Sequence, residues 1–188
     1  MRYIRFFNEI GMDDIPLVGG KNASLGEMFQ ALTPKGIPVP DGFAVTAEAY
    51  RQLLTDNDLW DFLHEQLDPL DADNVADLGK RTQAIREAIY HADIPHTIQS
   101  EIHQAWLELN QRFEGDITLA VRSSATAEDL PDASFAGQQE TYLNIEGFDA
   151  LLEACKRCFA SLFTDRATHY RIDKGFDHFQ VGLSIGVQ

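Results

Sequence analysis

Apolar positions in this chain recur at two periods, and the switch between them marks out its elements. In residues 22–32, NASLGEMFQAL, the apolar Leu25, Met28, Phe29 and Leu32 fall at helical spacing. Asn22 and Ser24 are the candidate caps for that helix, and Glu27 stands three residues after Ser24 as in a capping box. The same period predicts helices over 46–57 and 58–67, each opened by Thr or Asp, and over 75–90. Another runs from Pro95, which suits a first helical turn, to about residue 113. Two more are predicted over 149–163 and 164–173. Strand patterns are shorter: residues 2–7, 43–46, 117–124 (ITLAVRSS), 140–145 (ETYLNI) and 181–188 (VGLSIGVQ). Residues 13–20, the Pro/Gly-rich 33–42 and the Asp-rich 68–73 are predicted loops. Helices dominate the middle and strands bracket the polar loops, which is an α+β pattern rather than a strict βαβ alternation. A strand that stops at the last residue predicts a fragment of a longer protein.

Two loops concentrate candidate chemistry. In LVGGKNASLGEM, Gly19 and Gly20 let the backbone approach a ligand, and Lys21 follows at a helix start. Free N–H groups, helix dipole and cation together make an anion site. It is not a Walker A loop, because no Gly lies five residues before Gly20 and Asn22 stands where Ser or Thr would hold magnesium. The second stretch is AVRSSATAEDLPDASFAGQQETYLNI, residues 120–145. Arg122 ends a strand and offers a planar fork suited to phosphate. Ser123 and Ser124 supply hydroxyl donors, and Glu128 and Asp129 supply acids for a neighbouring cation or a metal. Gly137, Gln138, Gln139 and Thr141 put a flexible, polar segment just before the next strand, suited to closing over a nucleotide. The plainer alternatives stay open at this point: a turn with an exposed lysine, and a polar loop whose arginine sits in a structural ion pair.

Charge sharpens the contrast. Of 188 residues, 30 are acidic and 15 basic, for a formal net charge of −15. Such a surface repels nucleic acid and anionic membrane, so an anionic ligand needs a local positive pocket. The hydrophobic fraction of 44% suits a folded core rather than a disordered chain. Cys155 and Cys158 form a lone C-x-x-C inside a helical pattern, with no second pair and no His at metal-ligand spacing. They are expected to be two helix thiols in a reducing cytoplasm. No H-x-x-x-H pair occurs among the six histidines. Neither a secretory apolar core nor a run approaching ~18 apolar residues is present, so no membrane span is expected.

The two loops, VGGKNASLGEM and AVRSSATAEDLPDASFAGQQETYLNI, together with FASLFTDRATHYRIDKGFDH, resemble the N-terminal nucleotide-binding domain of the phosphoenolpyruvate synthase (pyruvate, water dikinase) family. The resemblance covers residues 8 to 188 and is weakest in the helical middle. It implies the first portion of an ATP-grasp-like domain, with helices packed on a mostly antiparallel sheet. It implies that Lys21 and Arg122 contact ATP phosphates. It also implies that Ser123, Ser124, Gly137, Gln138, Gln139 and Thr141 belong to the loop that covers the nucleotide. ATP is then a substrate, and Mg2+ is required, with its ligands expected outside this chain. No catalytic residue is expected here: in the family ATP phosphorylates a histidine on a separate domain. That phosphohistidine makes phosphoenolpyruvate from pyruvate, a gluconeogenic step, with AMP and phosphate released. The chain alone is therefore expected to be inactive, and a homodimer is kept open.

Two alternatives remain beside it. Rifamycin-type antibiotic phosphotransferases share the second loop, but their first tends to Gly-Gly-Lys-Gly-Ala-Asn where this chain has Gly-Gly-Lys-Asn-Ala-Ser. A non-catalytic interaction domain would use the apolar stripe Val75, Leu78, Ile85 and Ile89 as a binding face.

Overall fold

The computed structural model describes residues 1–71, 74–113, 117–126, 129–130, 133–134 and 140–188. In chain order its strands are β1 (Ile4–Phe6), β2 (Phe43–Val45), β3 (Leu119–Ala125), β4 (Asp129–Leu130), β5 (Ala133–Ser134), β6 (Thr141–Ile145) and β7 (Leu183–Val187). Five of them pair, antiparallel throughout, in the order β1-β2-β7-β3-β6. The last strand of the sequence thus lies at the centre of the sheet. Its LSIGV sequence, without a charge, fits a position where every residue is buried. β6 takes an edge and leaves Leu143 exposed. Among the described residues β4 and β5 pair with each other, inside a stretch predicted as plain loop.

The helices are α1 (Ile15–Leu32), α2 (Ala47–Asp56), α3 (Leu59–Leu67), α4 (Val75–His91), α5 (His96–Gln111), α6 (Phe148–Ser161) and α7 (Asp165–Asp173). Strand alternation sorts the two sheet faces. Phe43, Val45, Val121, Leu183, Ile185 and Val187 join the larger core, which reaches Leu53 of α2, Ile85 of α4, Ile102 of α5 and Phe159 of α6. Each such side chain contributes roughly 1.5–3 kcal/mol by leaving water. Ala44 on the other face packs with Phe7, Ile10, Val18 and Ala23, a smaller core beneath α1. The molecule is an α+β fold with helices on an antiparallel sheet. Leu78, Ile85 and Ile89 are buried and only Val75 of the α4 stripe is exposed. That stripe is core, so the cue for a binding face on α4 is gone.

The helix predicted over 22–32 begins earlier. α1 starts at Ile15, with Pro16 in its first turn, and breaks once, at Gly19 (φ 73°, ψ 161°). Residues 13–20, predicted as loop, are therefore largely helical. Asn22 and Ser24 are not caps. Asn22 is buried inside the helix, and the Ser24 hydroxyl lies against Met12 Sδ. Pro16 and the Gly pair carry loop signals, yet Pro is tolerated in a first turn and the break needs only one glycine.

Burial accounts for the two cysteines. Both are free thiols within α6. Desolvation pushes Cys155 up to about 12 and holds Cys158 well above the ordinary thiol value, so neither forms a reactive thiolate near neutrality. Among the described residues no helix is long and apolar enough to cross a membrane.

After α7 the chain turns on Gly175 in a left-handed conformation (φ 67°), and His178 accepts a hydrogen bond from Arg171 Nε at 2.9 Å. Burial first, and the Arg171 charge second, lower His178 to about 4. An unfolded chain takes up that proton near pH 6.5, whereas the folded chain refuses it until about 4. The contribution is therefore complete above ~6.5 and lost as pH falls towards 4. The melting temperature is expected to drop between pH 7 and pH 4.5. His178→Asn, which keeps an acceptor for Arg171 but cannot titrate, should drop less over the same interval. Equal drops would show that other groups carry the acid sensitivity.

Candidate functional site

The break at Gly19 restarts the helical path at Gly20. Gly20, Lys21 and Asn22 thus occupy a first turn, where backbone N–H groups lack intrahelical acceptors and the dipole is positive. Gly19 is required there twice over. Its φ of 73° is one that L side chains rarely adopt, and a Cβ would collide with Ser124 Oγ. The N–H of Asn22 donates to Ser124 Oγ at 3.4 Å, joining segments 102 positions apart.

Asn22 is the hub of this junction. Its Nδ2 donates to Val18 O and to Ser184 Oγ, each at 3.0 Å. Ser184 Oγ in turn donates to Val45 O at 2.7 Å. A Cβ on Gly186 would strike Asn22 Oδ1, so only glycine lets α1 settle this close to β7. Sequence reasoning missed Asn22, Ser184 and Gly186 as parts of the site. Two signals bear on them: Val18 and Asn22 are one helical turn apart, and small residues alternate at 184 and 186 of an otherwise apolar strand.

Cross-strand register places the remaining residues. Ser124 pairs with Ser184, and Arg122 pairs with Gly186 on one side and Thr141 on the other. Paired residues share a sheet face. Ser184 and Gly186 face Asn22, so Ser124, Arg122 and Thr141 lie on the α1 face as well. Arg122, Thr141 and Lys21 are exposed. Ser124 is buried, and its hydroxyl takes the Asn22 N–H. Ser123 is buried on the opposite face, and its N–H donates to Glu140 O at 3.2 Å. Gly137, Gln138 and Gln139 lie outside the described residues, as does Glu128.

The arrangement brings a helix N-terminus, the lysine in its first turn and an arginine to one face of the sheet; Arg122, expected to end its strand, stands in the middle of β3, which runs on to Ala125 because its pairing with β7 continues to Leu183. Chemically this is an anion site, and the Arg fork adds bidentate geometry suited to phosphate. Among the described residues no three His, Cys, Asp or Glu side chains gather. Two clefts lie away from Lys21 and Arg122. One of about 420 Å³ runs between α4, α6 and β6, lined by Arg86, Tyr90, Tyr142 and Arg157. An apolar groove of about 760 Å³ runs past Phe29, Pro38, Leu109 and Phe113.

The family model of the pyruvate phosphate dikinase AMP/ATP-binding domain matches residues 15–188. The chain is 54% identical over 191 residues to a phosphoenolpyruvate synthase of Helicobacter pylori, covering 100% of this chain and 23% of that protein. It is 50% identical over 190 residues to one from Synechocystis, covering 98% of this chain and 23% of that protein. A third, from Pseudomonas aeruginosa, is 52% identical over 188 residues, covering 100% of this chain and 24% of that protein. The chain thus spans less than a quarter of the length of these relatives. The family match starts at the first residue of α1 and takes in both the Gly19–Lys21 turn and the strand that ends beyond Arg122. The chain belongs to the family of the pyruvate phosphate dikinase AMP/ATP-binding domain.

Proposed function

We propose that these 188 residues are the N-terminal portion of the ATP-handling domain of a cytoplasmic dikinase that converts pyruvate, ATP and water to phosphoenolpyruvate, AMP and phosphate. The observation that carries this is the Asn22–Ser124 junction. It brings the Gly-Gly-Lys turn and the Val-Arg-Ser segment of β3, from two of the stretches that resemble the dikinases, onto one face of one sheet.

The role of each residue follows from phosphoryl-transfer chemistry, which asks for positioning and charge neutralisation rather than covalent groups. Lys21 and Arg122 hold the phosphates of ATP. The N–H groups of the α1 restart add fixed donors that need no reorganisation as charge develops. Gly137, Gln138, Gln139 and Thr141 form the cover over the nucleotide. Ser123 and Ser124 set the strand end from beneath rather than touching ATP. The phosphoacceptor histidine, the pyruvate site and the magnesium ligands belong to polypeptide beyond these residues. Magnesium supplies charge neutralisation on the phosphates when it is bound.

The test is AMP formation from ATP and magnesium by the intact protein, with and without pyruvate. AMP and phosphoenolpyruvate that both depend on pyruvate support the proposal. A full-length protein that forms neither rules it out.

A further inference from the structure

We infer that Asn22 is the positioning residue of this phosphate site: its carboxamide ties the restart of α1 to β7 and so fixes where the Gly20 and Lys21 N–H groups stand relative to Arg122. This rests on the ATP site proposed above. The side chain is only 2% exposed, so it does not touch ligand and acts through the backbone it holds.

The chemistry at this position admits a donor and little else. Nδ2 faces two acceptors, Val18 O and Ser184 Oγ. The Ser184 proton is already committed to Val45 O, so its oxygen is an acceptor towards Asn22. Val18 lies just before the Gly19 break and Asn22 just after it. The Nδ2–Val18 bond therefore clamps the break itself, and the Nδ2–Ser184 bond anchors that clamp to the central strand. Arg122 pairs with Gly186, the residue over which Asn22 Oδ1 lies. Helix start and arginine are thus both referenced to Gly186 of β7. Without the clamp, the break at Gly19 is free to change its dihedral angles, and the N–H groups lose their fixed aim. Preorganised donors are effective only while they are held in place.

Asn22→Asp keeps the shape and replaces the donor by a carboxylate facing two acceptors. Ser184→Ala is the milder change, removing the anchor while keeping the packing. The intact protein is compared with both variants by ATP titration calorimetry and by the KM values for ATP and pyruvate. Loss of one buried hydrogen bond corresponds to roughly tenfold in an equilibrium constant. Asn22→Asp is expected to weaken ATP by at least about tenfold and Ser184→Ala by about three- to tenfold, with the pyruvate KM unchanged in both. A merely structural role would lower the melting temperature and leave the ATP affinity of the folded variants as it was. That result in Ser184→Ala overturns the assignment even if Asn22→Asp fails to fold. If the unsubstituted protein binds ATP but forms no AMP, the dikinase proposal falls, and the ratio of ATP dissociation constants still decides the role of Asn22. If the unsubstituted protein does not bind ATP, both fall.

Discussion

Arg122→Ala is expected to lower turnover of the intact protein by ~10²-fold or more while leaving its melting temperature unchanged. The two halves of this expectation have separate physical sources. Arg122 is exposed in the middle of β3, so its side chain contributes little to the core on either sheet face. Its neighbours across the strands are Gly186 and Thr141, neither of which packs a large side chain against it. Removing the guanidinium should therefore cost little folding energy. The loss in rate follows from its proposed place on the phosphates. A fixed charge or donor aimed at developing charge contributes about 2.7–4 kcal/mol, or 10²–10³ in rate. Arg122→Lys tests the fork separately from the charge. Lysine restores a point cation but not two parallel donors, so it should recover only part of the loss. Measuring kcat, KM for ATP and melting temperature on the three proteins decides the matter. Full activity in Arg122→Ala would remove Arg122 from the phosphate site.

The elements most legible in the sequence are those whose signals are local. α2, α3 and α4 start within a residue of the predicted points, because a turn or cap residue and a 3.6-residue apolar period coincide there. The α+β class was legible for the same reason. Sheet order was not: β7 inserts between β2 and β3, and nothing local in LSIGV says which strands flank it. The start of α1 was hidden because Pro16 and the Gly19–Gly20 pair carry loop signals, while the tertiary fit to Ser124 needs only a single break. The site divides along the same line. Lys21 and Arg122 stood out as cations among small residues in an acidic chain. Ser123 and Ser124 fell within the predicted strand 117–124 and were read as hydroxyl donors beside Arg122, yet pairing with β7 buries both. Asn22 was weighed as a cap and as a mismatch to a Walker A loop, because its partners Ser184 and Gly186 lie more than 160 positions away. Long-range packing converts a capping residue into a buried clamp, and that cannot be read from spacing.

Arg171→Met is expected to destabilise the fold by about 2–4 kcal/mol, the largest stability effect among the substitutions considered. Arg171 is fully buried, an unusual place for a guanidinium. Its donors are spread over three acceptors: Leu162 O at 2.7 Å, His178 Nδ1 at 2.9 Å and Thr168 Oγ1 at 3.3 Å. The charge also lies 5.1 Å from the Phe163 ring centroid. Desolvation lowers its pKa to about 10, with the nearby Tyr50 phenol opposing that shift, so it remains charged at neutral pH. Replacing a buried charge by a side chain of similar volume can be neutral when its partners go with it. Here the partners stay. Leu162 O would be left buried without a donor, at about 1–3 kcal/mol, and the half-buried His178 Nδ1 would lose its donor at a smaller cost, both offset in part by the desolvation that Met avoids. Arg171→Lys should fall between the two, since one ammonium cannot reach acceptors that a planar fork meets on different sides. The acceptors join the end of α6, α7 and the turn that leads into β7. Loosening them should therefore also weaken the central strand against which Asn22 is anchored. Denaturant unfolding of the three proteins measures the first effect. A Met variant as stable as the parent would mean that Leu162 O and His178 Nδ1 find other donors when the guanidinium is gone.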